Sequence, residues 1–206
     1  MQKPVHKKVN QDTVTYFFED ETHREYYVRG SLCWPVLFSN QGVPDVMGYA
    51  MVAGQDVETK HITVFEQREF IVVTSIIDEN MKITHHGIGP WLIDMYSRYR
   101  CNRYYYSQPF EQTKKYRLEI SRTSDIMPKP IYNEVPWPEN PMESLQTVWR
   151  AVKVKGFTAE KGSLIRRQIG EIGVEEKSTL RYPAFHAFAC LLMGYERYPY
   201  QKREAA

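Results

Sequence analysis

The order of the apolar segments is the feature that most constrains how this chain folds. Three strand-like runs, at residues 25–34, 47–57 and 61–75, follow one another closely. The third run has two apolar halves on either side of a charged corner at residues 67–68, so we expect a bulge or a tight turn inside it. Strands joined by short connections pair antiparallel, so the three runs predict an antiparallel meander. A shorter run at residues 13–18 is a further strand candidate.

An amphipathic helix and another strand are expected after the meander. Apolar side chains recur at helical spacing over residues 90–100, and Pro90 suits a first helical turn because its missing N–H has no partner there anyway. Residues 103–108, RYYYSQ, predict the next strand. Residues 109–122 fit either a strand or a helix, and the pattern leaves both open.

The second half predicts an extended crossing followed by helices. Residues 127–141 hold five of the chain's 12 prolines, which favours an extended segment with a short edge strand at residues 131–135. Helical patterns follow at residues 142–152, at residues 164–172 with Thr158 as the expected cap, and at residues 183–195. The last of these is apolar around most of its circumference, which is typical of a helix packed on a sheet.

Length and composition fit one globular domain. The chain has 206 residues, 42% of them hydrophobic and 25% charged. We expect a flexible basic arm at residues 1–12, a single α/β domain at residues 13–200 and a disordered tail at residues 201–206. No apolar run reaches the roughly 20 residues of a membrane span, so no membrane partner is expected. Three widely spaced cysteines predict neither a disulfide framework nor a zinc site and favour a cytoplasmic protein.

The strongest surface signal is the sequence RYRCNRYYY at residues 98–106. Interleaved arginine and tyrosine can contact phosphates and stack on bases, although the net charge of +2 does not by itself predict nucleic-acid binding. The same pattern also fits a helix end whose arginines favour the C-terminal dipole, followed by a buried strand. The candidate nucleic-acid contacts are Arg98, Arg100, Arg103, Lys114, Lys115 and Arg117.

Other reactive residue types have simpler interpretations. His186 lies between Phe185 and Phe188, which favours a core or interface histidine over a ligand or base. Cys33 has no patterned histidine partner and is expected to be a buried thiol. Three acids near one hairpin, Asp45, Asp56 and Glu58, fit ordinary turn residues better than cation ligands.

The segment order resembles that of ribonuclease H-like domains and, more narrowly, the nuclease domain of phage terminase large subunits. Residues 26–57, 87–108 and 182–195 carry the resemblance. In that family a three-stranded antiparallel meander precedes a helix and a strand, and a late helix begins with acids. The resemblance implies an α/β (or α+β) fold, with a mixed sheet containing an antiparallel three-strand meander and helices packed on it.

The chain departs from the family at the acids that hold two divalent metal ions. Where the resemblance places them, the sequence has Gly30, Cys33 and His186, and the nearest carboxylate after the fourth strand is Glu111. One acid cannot supply the several oxygen ligands that two Mg²⁺ ions require. Glu111 and His186 remain the candidate catalytic residues, and no metal ligands or cofactor are predicted. If the first strand is instead residues 13–18, Glu19 and Asp20 become candidates.

Three functions stay open at this point. The first is a phage-type DNA-packaging or nuclease-related domain, weak or inactive in cleavage, that binds nucleic acid or an assembly partner, in the host cytoplasm if viral. The second is a non-enzymatic protein–protein interaction or assembly protein, since tyrosine, tryptophan and methionine are enriched at interfaces. The third is a nuclease dependent on Mg²⁺ or Mn²⁺ with relocated acids, using Glu111 together with Asp56 or Asp94.

Overall fold

The computed structural model describes residues 4–33, 48–70, 76–85, 87–106, 131–135, 141–172 and 182–201. The strands are β1 (His6–Val9), β2 (Thr13–Phe17), β3 (His23–Cys33), β4 (Gly48–Asp56), β5 (Ile62–Phe70), β6 (Ile76–Ile77), β7 (Ile83–His85), β8 (Arg103–Tyr106), β9 (Ile131–Glu134) and β10 (Phe157–Thr158). The helices are α1 (Ile88–Tyr99), α2 (Pro141–Arg150), α3 (Leu164–Glu171) and α4 (Pro183–Arg197), and a π-helical turn, Ala151–Lys155, extends α2.

Eight of these strands form one mixed sheet. Strands β1 to β5 pair in sequence order and antiparallel, β10 adds parallel to β5, and β8 and β9 add in parallel beside β3. Strands β6 and β7 form a separate hairpin. The α/β fold with a mixed sheet and the meander β3–β4–β5 is therefore confirmed. The bulge expected in the third run lies at Phe65, where the register between β4 and β5 shifts.

Strands β2 and β8 share one edge of β3. Strand β2 pairs with β3 as far as Tyr27, and β8 pairs with β3 from Gly30 onward. Between them, the backbone N–H of Val28 donates to the carbonyl oxygen of Asp12 at 3.0 Å. We call this junction, with the β1–β2 turn at residues 10–12 and the α1–β8 connection at residues 100–102, the β2–β8 fork.

The sheet separates two apolar cores. Side chains of β3 alternate, so that Tyr26, Val28 and Leu32 pack with α1 on one face while Tyr27 and Cys33 pack with α2, α3 and α4 on the other. Helix α4 is buried along most of its surface, as its apolar composition predicts. In the described part of the chain, no helix combines the length and apolarity needed to cross a membrane.

The structure differs from the sequence predictions at several places, of which the unpredicted β6–β7 hairpin is one. Residues 6–9, expected within a flexible arm, form β1, an edge strand whose Lys7 ammonium donates to the carbonyl oxygen of Arg98 at 3.0 Å. The sequence HKKV shows no apolar alternation, and lysine is common on sheet edges because it opposes further pairing. Thr158 lies in β10, and Ser163 with its extended backbone precedes α3 instead.

Candidate nucleic-acid interface

Position 30, where the resemblance places a metal-binding acid, has no room for a side chain. Gly30 lies in the middle of β3, and a Cβ atom built on it would overlap two ring carbons of Tyr104 and lie 3.2 Å from the carbonyl oxygen of Met51. Tyr104 is fully buried in the α1 core, and its hydroxyl donates to the carbonyl oxygen of Cys101 at 3.3 Å. The tyrosine ring therefore occupies the space that a carboxylate would need.

Cys33, at the end of β3, and His186, in the first turn of α4, occupy the other two acid positions and are fully buried. Burial raises the pKa of the Cys33 thiol well above its usual range, and the neighbouring Cys190 adds to the shift. Burial lowers the pKa of His186 to about 3, so its imidazole is neutral at pH 7. Neither residue supplies an oxygen ligand, and the residues at these three positions do not fit a pair of divalent ions.

Arg29 places a positive charge in the centre of β3. Its side chain is 3% exposed, its Nη1 lies 3.1 Å from the Asp12 carboxylate, and its Nη2 donates to the Tyr27 hydroxyl at 2.5 Å. The guanidinium carbon also lies 3.9 Å from the centre of the Tyr27 ring. A guanidinium fixed at this position repels a divalent cation rather than binding one.

Arg98, the first of the candidate nucleic-acid contacts, is paired within the protein. Its Nη1 lies 2.6 Å from a Glu66 carboxylate oxygen, and its Nε lies 3.1 Å from Asp94. The hydrogen bond with Glu66 raises the pKa of Arg98. The guanidinium is therefore ion-paired with two carboxylates. The pair with Glu66 links α1 to β5, and the pair with Asp94 lies within α1.

Arg100 is placed differently. It follows α1 with a left-handed backbone (φ 53°), its N–H donates to the carbonyl oxygen of Tyr96 at 2.8 Å, and its side chain is exposed. Its guanidinium carbon lies 5.1 Å from the centre of the Tyr96 ring. Among the described residues, no carboxylate lies within ion-pair distance of Arg100. The guanidinium is thus available to an external anion or ring.

A cavity of about 440 Å³ opens beside Arg100 at the β2–β8 fork. It is lined by Val9, Asn10, Gln11, Tyr96, Arg100 and Asn102. Three of these side chains are amides, two from the β1–β2 turn and one from the α1–β8 connection. The amides of Gln11 and Asn102 have no hydrogen-bond partner in the residues that the structure describes, and that of Asn10 lies 3.4 Å from the Thr13 hydroxyl.

The remaining site residues predicted from the sequence fall into two groups. Some lie near the fork, and the others lie outside the described residues. Arg103 begins β8, is half-buried and pairs in register with Ile131 of β9. Of the three arginines of the RYRCNRYYY motif, the structure therefore places only Arg100 at the cavity of the fork. Glu111, Lys114, Lys115 and Arg117 lie outside the described residues, as does Asp45. Asn102 belongs to the same motif, whereas Asn10, Gln11 and Lys7 had no sequence signal, because only the pairing of β1 brings them to α1.

A second cavity, of about 670 Å³, lies at the opposite end of the sheet. Its lining includes Asp20, Asp56, Glu58, His61 and Thr158. The carboxylate of Asp56 accepts backbone N–H groups of Glu58 and Thr59 at 2.9 and 2.8 Å, as the turn interpretation predicts. The described residues contain no group of three or more His, Cys, Asp or Glu side chains arranged to hold a metal ion.

No protein-family model matches the chain, and no curated protein sequence is significantly similar to it. The function is therefore inferred from the residues of the site alone.

Proposed function

We propose that this protein is a nucleic-acid-binding domain built on a ribonuclease H-like sheet, related to the nuclease domains of phage DNA packaging, that binds without efficient cleavage. One observation carries the proposal: Arg100 lies exposed at an amide-lined cavity, and no carboxylate in the described part of the chain lies within ion-pair distance of it. The Tyr104 ring, which fills the space at Gly30 that a metal-binding acid needs, supports binding without cleavage. A side-chain set of arginine, tyrosine and amides is typical of contacts to phosphates and bases.

The charges around the fork support binding of a polyanion. Asp12 is ion-paired with Arg29, while Glu66 and Asp94 are both paired with Arg98, which leaves one negative charge in that cluster. Lys7, whose ammonium donates to the carbonyl oxygen of Arg98 at 3.0 Å, adds a positive charge beside it. Arg100 then contributes a positive charge that no described carboxylate balances. Phosphate contacts of this kind give affinity that falls steeply as salt rises.

The proposal is tested by titrating labelled DNA at about 50 and about 200 mM salt, where phosphate contacts change affinity strongly. The informative variant is Arg100→Gly, because glycine accepts the left-handed backbone and removes only the side chain. Lys60→Gly is the matched control, since Lys60 is exposed, has φ 62° and lies in the β4–β5 turn, outside the fork.

We expect Arg100→Gly to weaken binding and to reduce the slope of log affinity against log salt by about one, as for one lost phosphate contact. Lys60→Gly is expected to bind like the wild type. Absence of binding at low salt would remove the nucleic-acid proposal. Equal loss in both variants would show that general charge, rather than the fork, is responsible.

A second candidate function is assembly with another protein. The β6–β7 hairpin exposes Met81 (81%) and Ile83 (48%), an apolar pair of the kind that interfaces cover. The test is the solution mass from light scattering, compared between wild type and a Met81→Gln, Ile83→Gln double variant. A mass above that of one chain that the double variant abolishes would support this alternative.

The third possibility, a nuclease with relocated acids, has its own test. Supercoiled and linear DNA are incubated with the protein and Mn²⁺, and Glu111→Ala is compared with the wild type. Metal-dependent cleavage that this substitution abolishes would replace the binding proposal with a nuclease.

A further inference from the structure

We infer that the cavity at the β2–β8 fork accepts one unpaired base, so that the ligand is single-stranded rather than duplex nucleic acid. The inference rests on the proposed function and extends it, because the exposed arginine alone would suit any phosphate backbone. Three observations carry it: the size of the cavity, its amide lining and the position of Arg100 over the Tyr96 ring.

The cavity has the dimensions of a small-molecule site rather than a duplex groove. Its volume of about 440 Å³ lies within the roughly 300–1,000 Å³ of such sites. A duplex holds its bases inside the stack, so a base can enter a recess only after it is unpaired and turned outward, which costs free energy. An unpaired strand offers its bases without most of that cost.

The side chains that line the cavity offer both hydrogen-bond donors and acceptors, as the edge of a base does. A phosphate only accepts hydrogen bonds, so a site built for phosphate needs donors alone. Each amide of Asn10, Gln11 and Asn102 instead offers both a donor and an acceptor. An unpaired base presents a donor and an acceptor side by side on its Watson–Crick edge, and an asparagine or glutamine amide can pair with both.

Arg100 supplies a planar surface at the same place. Its guanidinium lies 5.1 Å from the centre of the Tyr96 ring, and bases stack on guanidinium planes in single-strand recognition. The two turns that carry the amides are held by backbone hydrogen bonds, from Asn10 N–H to Thr13 O at 2.8 Å and from Ile131 N–H to Asn102 O at 2.6 Å. The recess is therefore formed before a ligand arrives.

The test compares three labelled probes at low salt: oligo-deoxyadenylate, oligo-deoxythymidylate and a mixed-sequence duplex, each of about 12 nucleotides, within the usual span of single-strand sites. The variants are Asn102→Ala and, as a matched loss of an exposed asparagine, Asn80→Ala in the β6–β7 turn. Thermal melts establish that each variant is folded.

We expect the wild type to bind deoxyadenylate more tightly than the duplex, although the duplex has the higher charge density. Asn102→Ala should weaken binding of both deoxyadenylate and deoxythymidylate at least about fivefold, as for one lost base contact, with no effect on the duplex. Asn80→Ala should change nothing.

Duplex binding as tight as single-strand binding, or an Asn102→Ala variant with wild-type affinity for deoxyadenylate, would overturn the inference. If the duplex still bound and lost affinity in Arg100→Gly, the proposed function would stand without the base recess. If no probe bound at low salt, the proposed function would fail as well.

Discussion

Single residues show why the three positions at which the resemblance places acids leave no room or solvent access for a carboxylate. Gly30, Cys33 and His186 do more than lack carboxylates: the first lies under the Tyr104 ring, and the other two have no solvent-exposed surface. Restoring an acid at any of these positions would place a charge in an apolar core, which is costly without a partner. Sequence reasoning identified the missing acids but had no means to show that a tyrosine fills the space.

The packing of Gly30 gives the first prediction. Gly30→Ala should lower the free energy of unfolding by roughly 1–3 kcal/mol, because the added methyl group must displace the Tyr104 ring. Gly170→Ala is the control, since Gly170 lies in α3 with no atom near its missing Cβ, and alanine there should stabilise by about 0.5–1 kcal/mol. Urea denaturation measures both. A Gly30→Ala protein as stable as the wild type would show that the ring does not close this position.

His186 gives the second prediction, a dependence of stability on pH. Its pKa is about 3 in the folded protein and about 6.5 in the unfolded chain. Between these values the unfolded state binds a proton that the folded state does not, so stability should fall as pH falls below 6.5, by up to about 1.4 kcal/mol per pH unit. Denaturation at pH 7, 6 and 5 should show this slope in the wild type and a shallower slope in His186→Leu. Identical slopes would contradict it.

The interface residues show which properties of single side chains the sequence could predict. The pattern RYRCNRYYY identified Arg98, Arg100 and Arg103, but it could not separate Arg98, paired with Glu66 at 2.6 Å, from Arg100. That distinction depends on β5 reaching α1 across the sheet. Side-chain amides in turns carry no periodic signal, so the cavity lining could be recognised only from the fold.

Secondary-structure elements follow the sequence where apolar periodicity is strong. Strands β2, β3, β4, β5 and β8 and helices α1, α2, α3 and α4 lie near the predicted residues, because each has a buried face that its apolar pattern predicts. Strand β9 lies where the proline-rich segment predicts a short edge strand, and its residues are exposed or half-buried. Strand β1 was missed because its stability comes from pairing with β2 and from Lys7 contacts rather than from apolar alternation. The residues 109–122, whose pattern stays ambiguous, lie outside the described ranges.

The junction between β2, β3 and β8 gives the third prediction. Asp12 in the β1–β2 turn pairs with the buried Arg29 and is 27% exposed. Asp12→Asn should destabilise the protein by roughly 1–3 kcal/mol, less than for a fully buried pair because water still reaches the carboxylate. Glu79→Gln, an exposed turn acid, removes the same charge and should have almost no effect. Equal stability of the two variants would show that the pair does not hold the fork together.

The whole molecule combines a mixed sheet with helices on both faces and a polar recess at the junction between β2 and β8. Gly30, Cys33 and His186, the three positions at which the resemblance places acids, are buried between the sheet and these helices. Arg100, which no carboxylate of the described residues balances, lies instead at the recess. The order of segments in the sequence predicted the α/β fold, whereas the site depends on contacts between distant segments.

Removal of divalent metal tests the central claim most directly. Labelled single-stranded DNA is bound at low salt in EDTA and in Mn²⁺, with anisotropy followed first and strand integrity checked on the same samples afterwards. A binder with no metal centre should bind at least as tightly in EDTA as in Mn²⁺, because Mn²⁺ competes for the phosphates, and the strands should stay intact in both conditions. Binding that requires Mn²⁺, or strands cut in Mn²⁺ and intact in EDTA, would contradict the account.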